Sequence, residues 1–186
     1  AAEQILDMAS IPTTISGSFK LMSNIDMDGA VFGGINSIKG TFDGAGHTIY
    51  NYTISSEANT AAFFNKVESE GVVKALTLAG NVVISNSETE VVAGAVAVNE
   101  GKISNVVVSG NVIVRATGLK FADYYIGAIV AQDNGTTETT SFTGEFEVVV
   151  KFDIAGTDVY ISGVAEEDAT YYVDAGSGVF VKFIFA

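Results

Sequence analysis

The sequence has no cysteine and no tryptophan, a single proline, Pro12, and a single histidine, His47. Without cysteine there is no disulfide, no thiolate metal site and no cysteine nucleophile. Any Ser-His-Asp triad has to use His47, and no Gly-x-Ser-x-Gly elbow is present. Basic residues are scarce as well: 9 Lys and Arg against 22 Asp and Glu give a net charge of −13. Binding nucleic acid needs clustered cations to displace counterions from phosphate, and an anionic membrane surface makes the same demand, so both are disfavoured partners. The longest unbroken apolar run, Val91-Val92-Ala93-Gly94-Ala95-Val96-Ala97-Val98, is far short of the roughly 20 residues that span a bilayer, which argues against membrane insertion. The opening Ala1-Ala2-Glu3-Gln4 has neither the basic nor the apolar region of a signal peptide, as expected of a mature or excised segment.

What is present points to strands. Val, Ile, Thr, Phe and Tyr are abundant, whereas Leu, Lys and Arg are few. Twenty glycines beside one proline suit many tight turns between hydrogen-bonded strands. With 48% hydrophobic residues, 186 residues bury a sizeable core in one or at most two domains.

The sequence also repeats itself. Gly71-Val72-Val73-Lys74-Ala75-Leu76-Thr77-Leu78-Ala79-Gly80-Asn81-Val82-Val83-Ile84 matches in phase Gly101-Lys102-Ile103-Ser104-Asn105-Val106-Val107-Val108-Ser109-Gly110-Asn111-Val112-Ile113-Val114. A third copy covers 135–150 and a fourth 169–183, placing Gly80, Gly110, Gly144 and Gly178 in one slot at steps of 30, 34 and 34. A companion segment precedes each copy: Ala62-Phe63-Phe64, Gly94-Ala95-Val96-Ala97-Val98, Gly127-Ala128-Ile129-Val130-Ala131 and Gly163-Val164-Ala165. Each unit reads as three short half-buried strands, which bury a continuous core only by stacking. An antiparallel sandwich also has short strands and regular turns, but it has no reason to repeat its sequence in register.

The expected fold is therefore all-β: a right-handed parallel β-helix, or β-solenoid, over residues 15–186, with repeats near 61–89, 90–121, 122–157 and 158–186. Residues 1–14 form an N-terminal cap in which Ile5, Leu6, Met8 and Ala9 share one face of a short helix. Ile15 to Met27 alternates as strand, and 38–54 forms the first coils. The shared glycine slot is expected to stack along one edge, and Asn81 and Asn111 to stack as an amide ladder that Glu145 breaks. Val73, Leu76, Leu78, Val106, Val108 and Ile113 are core candidates. The apolar stretch 178–186, interrupted only by Lys182, is expected to be covered by a following domain or by copies stacking end to end.

Phe19-Lys20-Leu21-Met22-Ser23-Asn24-Ile25-Asp26-Met27, then Gly40-Thr41-Phe42-Asp43-Gly44-Ala45-Gly46-His47-Thr48-Ile49, then the Gly-x-Ile-x-Asn-Val coils resemble the GLUG-motif repeats, over roughly residues 15 to 115. Such repeats occur in large bacterial cell-surface proteins, adhesins among them. The resemblance implies a secreted, extracellular β-solenoid and marks architecture rather than chemistry.

No constellation of residues reads as catalytic. His47 lies in a two-glycine turn beside Asp43, where the imidazole is expected to close the turn by bonding to backbone. Asn24-Ile25-Asp26-Met27-Asp28-Gly29 begins like a calcium loop, but Ile35 stands where the closing glutamate belongs, so no metal site is expected. Glu68-Ser69-Glu70 and Glu166-Glu167-Asp168 read as solvated turns rather than a glycosidase pair, and Lys74, Lys102 and Arg115 lie in dissimilar contexts for a lyase base. Tyr124-Tyr125 and Tyr171-Tyr172 each put one ring outward on a strand and are the candidates for stacking on a sugar or anchoring a partner. Thr136, Thr137, Thr139, Thr140 and Thr143 fall in one copy only, too few for a hydroxyl face. Asn51-Tyr52-Thr53 and Asn134-Gly135-Thr136 are glycosylation sequons.

The reading that follows is a non-enzymatic extracellular scaffold or adhesin-like domain needing no cofactor. Its expected partners are a host or matrix protein or glycan, further domains, or copies of itself through the C-terminal strand. The alternatives are a self-assembling filament subunit and a polysaccharide-active β-helix enzyme or its remnant.

Overall fold

The computed structural model describes residues 1–119, 123–153, 156–176 and 178–186. The expected junction of the second and third repeats, at 121–122, lies outside the described residues. One helix, α1 (Ala2–Ser10), precedes a succession of strands. These are β1 (Phe19–Lys20), β2 (Ile25–Phe32), β3 (Thr41–Ile54), β4 (Thr60–Ala61), β5 (Phe64–Val67), β6 (Val72–Ile84), β7 (Val91–Ala93), β8 (Val96–Asn99) and β9 (Lys102–Val108). There follow β10 (Val112–Leu119), β11 (Tyr124–Gly127), β12 (Val130–Asp133), β13 (Thr136–Phe142), β14 (Phe146–Phe152), β15 (Thr157–Ser162), β16 (Ala169–Ala175) and β17 (Val181–Phe185).

The protein is mostly β, and every strand pairing among the described residues is parallel. The large sheet runs β1-β3-β6-β10-β14-β16, with β2, β9 and β13 joined beside it; the second runs β17-β15-β11-β7-β4, and the third β12-β8-β5. The chain visits the three sheets in turn and returns to the first one strand further on. Val91, Val96, Lys102 and Val112 pair with Tyr125, Val130, Thr136 and Phe146, each 34 residues on (91 to 125, for example). The companion segments thus align one residue away from the sequence reading: Ala93, not Gly94, pairs with Gly127.

The inward rows are aliphatic. Val73, Leu76, Leu78, Val106 and Val108 are buried as expected. Ile113 is not, because it lies between the inward residues Val112 and Val114 and so takes the opposite face. Gly80, Gly110 and Gly144 stack as expected: a Cβ on Gly110 would collide with the carbonyl oxygen of Gly80, and one on Gly144 with that of Gly110. Gly178 does not join them. Phe146 of β14 pairs with Ala169, a step of only 23 (146 to 169), because the last circuit passes from β15 to β16 without adding to the third sheet. Gly178 lies beyond that strand, at φ +84° with open space around it.

Asn81 and Asn111 form a ladder of a different kind from the expected one. The N–H of Asn111 donates to Asn81 Oδ1 (3.2 Å), and the N–H of Glu145 donates to Asn111 Oδ1 (2.9 Å). Glu145 ends the ladder through its backbone instead of breaking it. A second set of stacked positions marks the other bend of the large sheet. Ala45, Ala75, Asn105 and Thr139 are all left-handed, with φ between +51° and +55°. Each separates residues that pair across neighbouring strands.

At the N-terminal end, α1 buries Ile5 and Met8, and Leu6 and Ala9 pack against the same core. Its outward positions Glu3, Gln4 and Asp7 are exposed. The strand expected from Ile15 to Met27 is interrupted: Ile15 bridges to Ile38, and β1 and β2 are separated at Leu21-Met22-Ser23-Asn24.

Candidate functional site

The second and third sheets meet at a sharp corner between β7 and β8. Val92 and Val96 face the main core, whereas Val91, Ala93 and Ala97 point the other way and bury one another with Ala62. Small side chains let the two outer faces close into a concave corner, and Tyr125, Val98 and Ala131 pack along it. Further along lies a groove of about 360 Å³ lined by Tyr125, Tyr160, Ala131, Gln132, Asp133 and Asn134, among others.

The candidate tyrosines fall in unlike places. Tyr124 is 4% exposed; its ring packs on Phe152 and its hydroxyl donates to the carbonyl of Ser87 (3.1 Å), so it belongs to the core. Tyr125 faces outward and stacks on Tyr160. Burial, and after it the carboxylates of Asp123 and Asp158, push the Tyr160 phenol above its ordinary pKa. Tyr171 points inward against Phe183 and Phe185, and burial pushes its phenol up to about 12. Tyr172 is 64% exposed. One ring of each pair is outward, but the two outward rings are in different sheets and form no common platform. Tyr160 escaped sequence reasoning because it stands alone in Asp-Val-Tyr-Ile-Ser; only the register Tyr125↔Tyr160 brings it to the groove.

Several of the acidic and basic residues are paired between neighbouring strands or the turns beside them. Lys74 pairs with Asp43 (3.5 Å), Lys102 with Glu138 (2.7 Å), and Arg115 with both oxygens of Glu147 (3.0 Å each). Lys39 holds Glu70 (2.9 Å), and Lys66 bridges Glu68 and Glu100 (3.0 and 3.1 Å). Lys66, then the Ser37 hydroxyl, holds the Glu68 carboxyl below its ordinary pKa. The turn at His47 is closed by Asp43, whose Oδ1 accepts the N–H of Ala45 (2.8 Å); that bond, with Lys74 after it, holds its pKa low. The side chain closing the turn is thus the carboxylate, not the imidazole.

In the calcium-like stretch the side chains of Asn24 and Asp26 are engaged within the fold. Asn24 Oδ1 accepts the N–H of Thr48 (3.0 Å), and Asp26 Oδ1 accepts those of Asp28 and of the Asn51 amide (2.9 Å each). That last bond engages the side chain of the first sequon; Asn51 and Asn134 are both exposed. Glu166-Glu167-Asp168 forms an exposed 3₁₀ turn. The threonines of β13 divide between faces: Thr137 and Thr140 continue the inward rows below Ile103 and Val106, while Thr136 and Thr139 face out. A buried polar relay was not anticipated. Asn99, fully buried, donates to Asp133 Oδ1 (2.8 Å) and accepts the N–H of Gly101 (3.0 Å). This arrangement offers an extended surface with a shallow groove.

No family model matches the chain, and no solved structure matches it. Over 164 residues it is 29% identical to halomucin of Haloquadratum walsbyi. The match covers 79% of this chain and 2% of halomucin, so the chain spans a very small part of that relative. Among the described residues, no helix is long and apolar enough to cross a membrane.

Proposed function

We propose that the chain is a right-handed parallel β-solenoid acting as a non-enzymatic extracellular scaffold, an adhesin-like domain of a cell-surface protein. The observation that carries this reading is the use made of the acids and bases. Six of the basic residues, Lys39, Lys66, Lys74, Lys102, Arg115 and Lys151, are paired with carboxylates. These ion pairs join neighbouring turns of the chain, so six of the basic groups have a structural use.

An extracellular setting draws support from the similarity to halomucin, named as a mucin, and from the resemblance to GLUG-motif surface repeats. The charge of −13 keeps a strand-rich surface soluble through self-repulsion. The partners of such a domain are matrix or host proteins, glycans and neighbouring domains. A glycan array together with a turnover assay on acidic polysaccharides tests the reading. Binding without turnover is expected. Cleavage that disappears in Glu68→Gln or Glu166→Gln would overturn it.

A further inference from the structure

The fold treats the two sequons differently. Asn51-Tyr52-Thr53 lies inside β3, with β2 and β6 paired along it. Tyr52 is buried in the core, and Thr53 pairs with both Val31 of β2 and Asn81 of β6. Asn51 is exposed, but it stands in the left-handed region at φ +60° and its amide donates to Asp26. An enzyme that takes up these three residues in a row has to part the sheet. Asn134-Gly135-Thr136 lies instead at the bend between β12 and β13, and all three residues are exposed. The bend is held from one side. The N–H groups of Asn134 and Thr136 donate to the carbonyls of Asn99 and Gly101 (2.8 and 2.9 Å), and Gly135 rests so close on Gly101 that a Cβ there would collide with its carbonyl oxygen. Among the described residues, none holds the Asn134 amide or the Thr136 hydroxyl. This exposure belongs to the position and not to the last circuit. Val67, Asn99 and Asp133 are successive partners, so Glu68, Glu100 and Asn134 stack at one corner. Glu100 is exposed although a circuit lies on each side of it, so the corner turns its side chains sideways into solvent.

We propose that Asn134 is the attachment site of an N-linked glycan, added to the folded chain, and that Asn51 is not. The inference rests on the extracellular reading, since sequons are acceptors in secreted chains. The donor is a glycan joined through its anomeric carbon to a lipid phosphate or pyrophosphate. Asn134 Nδ2 bonds to that carbon. The bond from the carbon to the phosphate oxygen breaks, its electron pair leaving on the phosphate, and the amide gives up one proton to a base of the transferase. Thr136 supplies the hydroxyl that the transferase reads two residues on. A bulky polar group fits an exposed bend and displaces no strand pairing there. At Asn51 the same group would have to be attached in the middle of a paired strand.

The test is peptide mapping by mass spectrometry of the chain isolated from the cells that make it. Trypsin separates the sequons: 40–66 holds Asn51 and 121–151 holds Asn134. A glycan on 121–151 and none on 40–66 is expected. Release of that glycan by a glycoamidase in heavy-oxygen water is expected to leave a labelled aspartate at the site. In the same cells Asn134→Gln and Thr136→Val are expected to lose the glycan, and Thr136→Ser and Asn51→Gln to keep it. Protease treatment of intact cells shows separately whether the chain lies outside. A glycan on Asn51, or a bare Asn134 in chain that lies outside, would overturn the proposal. Unlabelled aspartate in place of the labelled one would mark loss of ammonia from the Asn134-Gly135 pair and overturn it equally. A chain that the protease does not reach would overturn the extracellular reading, and this inference with it.

Discussion

Tyr125 and Tyr160 stack face to face, with ring centroids 4.8 Å apart and planes 8° from parallel. Val91 stands in register on the far side of Tyr125 and Ile184 on the far side of Tyr160, so both rings have neighbours on both faces. A sugar that stacks needs a free ring face, and here the edges are what the solvent meets. The pair is accordingly a stabilising ladder at the rim of the groove. A double-mutant cycle of Tyr125→Ala and Tyr160→Ala, followed by urea denaturation, is expected to give a coupling of about 0.5–1.5 kcal/mol. Strict additivity would show that the rings do not interact.

The glycine ladder makes a sharper demand. Gly110→Ala forces a methyl group into the backbone of Gly80, and neither strand can withdraw without breaking its pairing. A loss of more than about 2 kcal/mol is expected. Gly33→Ala is the control, since its nearest neighbour is the Ser55 carbonyl at 4.0 Å and its φ is not positive. There the change is expected to stay within about 0.5 kcal/mol. Equal effects at the two sites, measured by denaturation, would contradict the stacking.

The left-handed bend predicts the opposite sign for a reverse substitution. Ala75, at φ +51°, carries a Cβ where the backbone conformation disfavours one. Ala75→Gly is expected to stabilise by up to about 1 kcal/mol, strain relief outweighing the added freedom of the unfolded chain. A loss of midpoint stability would show that this residue is not strained.

These two ladders also separate what the sequence discloses from what it does not. Gly80 and Gly110 are legible because the same residue type recurs in phase with Asn and alternating Val beside it. Ala45, Ala75, Asn105 and Thr139 share a conformation while the side chain changes from Ala to Asn to Thr, so no single residue type announces them. Gly178 misleads for a third reason: its spacing of 34 from Gly144 is coincidental, since the short final circuit has already placed Ala169 beyond β14. The capping helix was legible from Ile5 and Met8, whose spacing fits one helical face. The groove was half legible. Tyr125 was visible as a strand residue, but Tyr160 and the Asn99–Asp133 bond depend on a register that alternation alone does not set.

Acid should unfold the protein in part through named carboxylates. The folded pKa values of Asp26 and Asp43 are lowered first by backbone N–H donors, and that of Glu68 by Lys66. A group depressed in the folded state contributes stability that is present above its unfolded pKa and lost as pH falls through the folded value. Melting temperature is thus expected to fall below about pH 4, the unfolded range of these groups. Asp43→Asn should melt lower than the parent at neutral pH and converge with it in acid. A difference independent of pH would remove Asp43 from the account.

The central claim is that the circuits stack in parallel with a fixed register, and nuclear Overhauser contacts measure this directly. Thr77, Val107 and Ser141 are successive partners in β6, β9 and β13. Parallel pairing places α-proton to amide-proton contacts between these strands at that register, and these are expected in the spectrum of the folded chain. Strong α-proton to α-proton contacts between the same segments, the mark of antiparallel neighbours, would contradict the account.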